Sequence, residues 1–155
     1  MEYKILEKMF AGEKPESVFE VGCANGGLLK DLGVKIVGGI DRHPGDIDKS
    51  KTLFSHCAEN FILQDITSFP WPINKLYDVV FSVGTLMYIK KPVRVIEEMM
   101  KFGSKVILAE PVEGEISRDK HGERYYHDYE GMLKSFRVEI LGEIGGKKIF
   151  KCNLN

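Results

Sequence analysis

Apolar residues at Ile5, Leu6, Met9 and Phe10 recur at the spacing of one helix face, and Gly12 follows as a stop. Ser17–Val21 is a short apolar run that predicts a strand, closed by the glycine-rich stretch Gly22-Cys-Ala-Asn-Gly-Gly27. Leu28, Leu29 and Leu32 predict a short helix capped by Gly33. Residues 34–40 predict a second strand ending at Asp41, and 61–63 a third ending at Asp65. Between them, Leu53, Phe54, Cys57 and Ala58 fall on one helix face. Pro70 and Pro72 make 67–75 a loop, and 78–82 is a fourth strand. Val93, Ile96, Met99 and Met100 restore the helical period, Gly103 stops it, and 105–109 is a fifth strand cut off by Pro111.

These strands are continuous apolar runs rather than alternating ones, as expected when both faces of a sheet are covered. Strands alternating with helices predict an α/β fold, a Rossmann-like three-layer sandwich with a mostly parallel sheet. The C-terminus departs from that rhythm: 137–141 and 148–154 flank Gly142-Glu-Ile-Gly-Gly146 and predict an antiparallel hairpin. No repeat or long linker interrupts the chain, so residues 1–155 read as a single domain.

Composition narrows the classes. The 155 residues carry 22 Lys+Arg against 23 Asp+Glu, a net charge of −1, with 43% hydrophobic residues. The chain has enough apolar content for a packed core and no global electrostatic reason to bind nucleic acid. No apolar run approaches membrane-spanning length, and the N-terminus lacks the apolar core of a signal peptide, so a cytoplasmic protein is expected. Cys23, Cys57 and Cys152 form no CxxC pair, and no spacing predicts a metal site.

Ligands of an open parallel sheet bind outside the carboxyl ends of its strands. The loop 20–27, Asp41, Asp65 and the loop 82–88 all fall there. Glycines at 22, 26 and 27 allow close backbone approach, and the following helix offers its first N–H groups to an anionic moiety. Glu20 ends a buried strand, where a carboxylate is costly, so it should face a ligand crevice or a cation. Asp41 lies 19 residues past Gly22, near the ~20 expected of an acid that grips ribose hydroxyls. Asp65 could accept from an exocyclic amine such as that of adenine.

In this order, the residues resemble the class I S-adenosylmethionine-dependent methyltransferases, in their ubiquinone-biosynthesis-like branch. Residues 18–26 (VFEVGCANG) look like the first motif of that family, and 37–41 (VGGID) like its ribose-binding strand end. Residues 63–66 (LQDI) look like its adenine-contacting strand end, and 76–89 (LYDVVFSVGTLMYI) are similar to its fourth-strand motif. The helix, turn and strand at 97–108 and the late segment 126–136 also fit, so the likeness spans about 17–154. It implies S-adenosylmethionine as cofactor, with S-adenosylhomocysteine as product, and a methyl transfer. Glu20, Gly22, Cys23, Ala24, Asn25 and Gly26 would hold the methionine part. Asp41, with Arg42 beside it, would hold the ribose, Asp65 and Ile66 the adenine. Ser82 and Val83 would line the sulfonium region. Ala24 stands where a second glycine is commoner, a tolerable change if its φ is negative. The short stretch before the first strand leaves few residues there for a substrate lid.

Two other classes compete. Gly22-x-Ala24-x-x-Gly27 is also a degenerate dinucleotide fingerprint, which would make the chain a small nicotinamide-dinucleotide-binding protein. A non-catalytic cofactor-binding partner subunit would be marked by an exposed apolar face. Glu20 favours adenosylmethionine, because an acid there suits an ammonium group and repels a pyrophosphate. If the acceptor must lose a proton, Tyr88, His121, Tyr125, Tyr126 and His127 are the candidates to touch it; Cys23, His43 and His56 read as local structure. The fourth strand lacks the Asn/Asp-Pro-Pro-Tyr signature of base-amino methylation. That absence, with no basic stripe, argues against nucleic acid and for a small-molecule acceptor. A protein partner or a second copy of the chain stays open.

Overall fold

The computed structural model describes residues 2–154. The chain runs α1 (Glu2–Met9), β1 (Ser17–Val21), α2 (Gly27–Leu32), β2 (Ile36–Asp41), α3 (Pro44–Leu53), a 3-10 segment (Ser55–Asn60), β3 (Phe61–Leu63) and β4 (Tyr77–Val83). A second 3-10 turn (Leu86–Tyr88), α4 (Val93–Phe102), β5 (Gly103–Pro111), β6 (Ser117–Asp119), β7 (Gly122–Arg124), α5 (Tyr129–Leu133), β8 (Arg137–Ile144) and β9 (Lys147–Asn153) follow. Seven strands form one sheet in the order β3-β2-β1-β4-β5-β9-β8. The first five are parallel, and β9 and β8 close the sheet antiparallel. The Rossmann-like α/β class expected from the sequence is therefore the one adopted. Among the described residues, no helix is long and apolar enough to cross a membrane.

The apolar strands feed two cores in alternation, because successive side chains leave a strand on opposite faces. Val18, Val79, Phe81, Ile107 and Ala109 pack with Ile5, Leu6 and Met9 of α1, Leu29 of α2 and Ile47 of α3. Phe19, Val21, Val80, Val106 and Leu108 pack on the other face with Val95, Ile96 and Met99 of α4 and Tyr129 and Leu133 of α5. At the end of the sheet opposite the glycine loop, Glu13 accepts from Lys105 at 2.5 Å and Lys151 at 2.9 Å. That pairing fixes the α1–β1 connection against β5 and β9, and the two ammonium groups hold the Glu13 carboxyl below its ordinary range against the desolvation that opposes them.

Several boundaries differ from the periodicity. The helix face read through residues 53–58 breaks: α3 ends at Leu53, which is 43% exposed, and Phe54 leaves helical geometry. Phe54 turns inward to stack on Phe61 at 5.6 Å, which a continuous helix would not permit. Gly103 stops α4, yet it also starts β5, with φ −126 and ψ 143. The C-terminal loop shrinks to Gly145-Gly146, whose φ values of 58 and 75 fit a tight two-residue turn, so β8 runs on to Ile144. The late helix is only Tyr129–Leu133, capped by Asp128, whose Oδ1 accepts from the Gly131 N–H at 2.9 Å. The β6–β7 hairpin has no counterpart in the sequence reading.

Gly38 sits where the second strand is tightest. A Cβ there would lie 2.7 Å from the Tyr77 hydroxyl and 2.9 Å from both the Asn60 carbonyl and the Phe19 ring. Backbone cannot yield easily, so Gly38→Ala is expected to destabilise by about 1–3 kcal/mol. Urea unfolding should show a lowered midpoint at unchanged slope.

Candidate functional site

The carboxyl ends of β1, β2 and β4 lie side by side, and the loops that leave them interlock. The N–H groups of Gly22 and Cys23 both donate to the Ile40 carbonyl, at 2.9 and 3.2 Å, which lays the glycine loop across β2. Gly22 has φ +76, and a Cβ on it would meet the Thr85 hydroxyl at 2.3 Å. The loop after β4 therefore rests directly on the glycine backbone, at a contact only glycine permits.

Ala24 differs from expectation. Its φ is +45, not negative, so its methyl group sits in the left-handed region at a cost of roughly 1 kcal/mol. Two bonds hold it there: its N–H donates to Asp41 Oδ2 at 2.9 Å, and its carbonyl accepts from Ser50 Oγ at 2.9 Å. Asn25 Oδ1 accepts from the Gly27 N–H at 3.2 Å, so one of the helix N–H groups expected to greet a ligand is already engaged. Gly26 donates to the Cys23 carbonyl at 2.9 Å and closes the turn.

Asp41 is the hub between β2 and this loop. Besides Ala24, it accepts from the His43 N–H at 3.0 Å and from His43 Nδ1 at 2.9 Å, both on Oδ1. A carboxylate has about four acceptor positions, so one remains on Oδ2. Asp65 Oδ1 accepts from the Thr67 N–H at 2.8 Å and its hydroxyl at 2.7 Å. Those bonds, with the nearby Arg42 charge, hold its carboxyl below the ordinary range. Ile66 is buried, and its carbonyl accepts from Trp71 Nε1 at 3.0 Å.

Glu20 is only 3% exposed, between Gly39 of β2 and Phe81 of β4 in the ladder register. Burial raises the Cys23 thiol, and the charges of Glu20, Asp41 and Asp46 raise it further. Acidic charge thus surrounds Cys23, which stays a neutral thiol.

Ser82 does not open onto the crevice. It is fully buried and donates to Glu110 Oε1 at 3.1 Å; Val83, half-buried, is the last residue of its strand. Glu110 is the residue that sequence reasoning missed. Its carboxylate is completely buried and accepts four hydrogen bonds. Ser82 Oγ, Thr85 N–H (3.1 Å) and Leu86 N–H (3.0 Å) reach Oε1, and Met87 N–H (3.3 Å) reaches Oε2. The signal was present: like Glu20, it is an acid ending an apolar strand, but that strand was read as stopping at Ala109.

The aromatic candidates divide into two groups. Tyr88 donates to Asp119 Oδ2 at 2.8 Å, and its ring stands 5.8 Å from that of His121. Arg42 Nη2 donates to the His121 carbonyl at 3.5 Å, and the Tyr125 N–H to the Met87 carbonyl at 2.7 Å. The β6–β7 hairpin region thus touches both the residue after β2 and the turn after β4, the two strands that flank β1. Tyr125 and His127 stack at 6.0 Å, and His127 meets Tyr129 edge-on at 5.6 Å. His127 Nε2 lies 2.8 Å from the Ile89 carbonyl. Tyr126 turns away to pack on Gly114 and lines a cavity of about 310 Å³ with His127, Tyr129 and Phe150. Among the described residues, no cluster of His, Cys, Asp or Glu has metal-ligand geometry.

With this geometry in hand, comparison with known proteins identifies the family. The pattern of the family described as "Methyltransferase domain" matches residues 19–104, more than half of the chain, and the protein belongs to that family. No curated protein matches the sequence. Among solved structures, the N-methyltransferase NodS from Bradyrhizobium japonicum WM9, in complex with S-adenosylhomocysteine, is 16% identical with a TM-score of 0.69. That match covers 99% of this chain and 86% of that one. The sugar N-methyltransferase KedS8 from Streptoalloteichus sp ATCC 53650 is 14% identical with a TM-score of 0.71, over 97% and 84%. The cyclase SpnF is 16% identical with a TM-score of 0.67, over 90% and 60%. These likenesses establish the fold.

Burial raises the Glu110 carboxyl from the ordinary 4.5 to about 7, although its four hydrogen bonds pull it down. An unfolded chain releases this proton above about 4.5, while the folded one keeps it until about 7. Stability from this group therefore falls as pH rises through that window, by about 3 kcal/mol. Urea unfolding at pH 5 and pH 8 should show that loss in the natural protein and lack it in Glu110→Gln.

Proposed function

We propose that the protein is an S-adenosylmethionine-dependent methyltransferase acting on a small-molecule acceptor. The acidic charge gathered at the carboxyl edge of the sheet carries this reading. Glu20 and Asp41 stand at the carboxyl edge of the sheet, with the Asp46 charge near enough to act on Cys23. A ligand that is cationic at its sulfur and at its amino group fits that field, whereas a pyrophosphate would be repelled. The antiparallel β9–β8 end also departs from the all-parallel order of the dinucleotide-binding sheet.

On this reading the backbone from Gly22 to Gly26 and Glu20 hold the methionine part. The remaining acceptor position of Asp41 takes a ribose hydroxyl, Arg42 lies beside it, and Asp65 with Ile66 borders the adenine. Val83 and the turn 85–88 face the sulfonium. When bound, the cofactor would supply an electrophilic methyl group: a nucleophile would attack the methyl carbon in line as the carbon–sulfur bond breaks, with S-adenosylhomocysteine as the leaving group. Positioning the two reactants contributes up to about 7–11 kcal/mol toward the barrier. Thr85 and Met87, locked by Glu110, supply a fixed wall for that alignment.

The residues divide in their fitness to take a proton from an acceptor. Tyr88 is pushed up to about 12 by burial and by its bond to Asp119, so it stays protonated near neutral pH. His127 differs. The Ile89 carbonyl can only accept, so Nε2 must donate, which leaves Nδ1 as a lone pair for general-base work. The solved relatives that carry N-methyltransferase names, one of them a sugar N-methyltransferase, support a small acceptor bearing a nucleophilic nitrogen or oxygen.

Calorimetry with S-adenosylhomocysteine and with NAD tests the assignment. One-site binding of S-adenosylhomocysteine is expected, weakened at least about tenfold, or 1.4 kcal/mol, in Asp41→Ala. Binding of NAD alone, or of neither ligand, would overturn it.

A further inference from the structure

A cavity of about 560 Å³ lies between the loop after β3, the entry to α4, and α5. Its volume is within the roughly 300–1,000 Å³ of small-molecule sites. Phe69, Val95 and Met132 form its apolar part, and its only charged lining residues are Lys90, Lys91 and Arg94. All three are exposed, and among the described residues none takes part in an ion pair within 4 Å. Arg94 holds its guanidinium 4.7 Å from the centre of the Phe69 ring, which orients the cation without neutralising it. Glu98, whose carboxyl feels the Arg94 charge, is committed to Lys101 at 2.7 Å and to the Trp71 N–H at 3.0 Å.

The bland reading, that these cations serve α4, fails on sign. They gather at the helix start, where the macrodipole favours acids, and the first turn of α4 carries no acid. Three like charges around one apolar recess in a protein of net charge −1 are placed against their own repulsion.

We infer that this cavity binds a small organic anion, with a carboxylate or phosphate against Lys90, Lys91 and Arg94 and an apolar body against Phe69, Val95 and Met132. The site is separate from the cofactor crevice, and the inference does not depend on the methyl-transfer reading. Thr67 joins the two places. It lines the cavity while its N–H and hydroxyl donate to Asp65 at the end of β3.

Calorimetry with 1-naphthyl phosphate and 1-naphthoate, against neutral 1-naphthol, tests it on the full-length protein. One-site binding of at least one anion is expected, with the tighter of the two naming the head group. Affinity should fall at least tenfold in the exposed double variant Lys91→Gln/Arg94→Gln at unchanged thermal midpoint, and Met132→Trp should block the recess. No saturable binding, equal affinity for naphthol, or indifference to the double variant would overturn the proposal. Competition by S-adenosylhomocysteine would assign the anion to the crevice and overturn it as well. Failure of S-adenosylhomocysteine to bind at all counts against the methyltransferase reading alone.

Discussion

The buried Glu110 carboxylate is the constraint on which the site depends. Four donors from one short stretch, Ser82 to Met87, converge on it. Its side chain lies wholly inside, so an ungreeted oxygen would cost several kcal/mol. The loop after β4 has no freedom to leave it. From that fixed loop, Thr85 closes over Gly22, Met87 receives the Tyr125 N–H, and Tyr88 holds Asp119. Three separate pieces of chain thus take their positions from one carboxylate at the end of β5.

The net charge of −1 conceals a segregation of sign. Acids collect where β1 and β2 end, and cations collect at the start of α4. These fields extend over about a Debye length, roughly 8–10 Å at physiological salt, and so stay distinct across the molecule. A whole-chain charge cannot express that segregation.

Most of the sheet was legible because its strands carry apolar side chains to both faces, and a run such as 105–109 has few other uses. The glycine loop, Asp41 and Asp65 were legible for the same reason, since each lies where such a run ends. Other features depend on tertiary contacts that no local pattern encodes. Ala24 takes its φ from Asp41 and Ser50, residues 17 and 26 positions away. Phe54 leaves the helix for Phe61. The β6–β7 hairpin is polar and mostly exposed on both faces, so it has no hydrophobic period to read. Ser82 looked available because its neighbours are, and only its bond to Glu110 removes it.

The Glu13 ion pairs with Lys105 and Lys151 bear on how the protein can change. They tie the stretch between α1 and β1 to the sheet's far end, while α1 spends Ile5, Leu6 and Met9 in the core. The β6–β7 hairpin and α5 come from one contiguous stretch, 112–136, between β5 and β8. The loops at the strand ends and the hairpin that touches them are therefore encoded in different segments of the sequence. The β6 and β7 strands contribute no buried core residue, so their side chains can change at little cost to the fold, whereas Tyr129 and Leu133 of α5 are fixed in it.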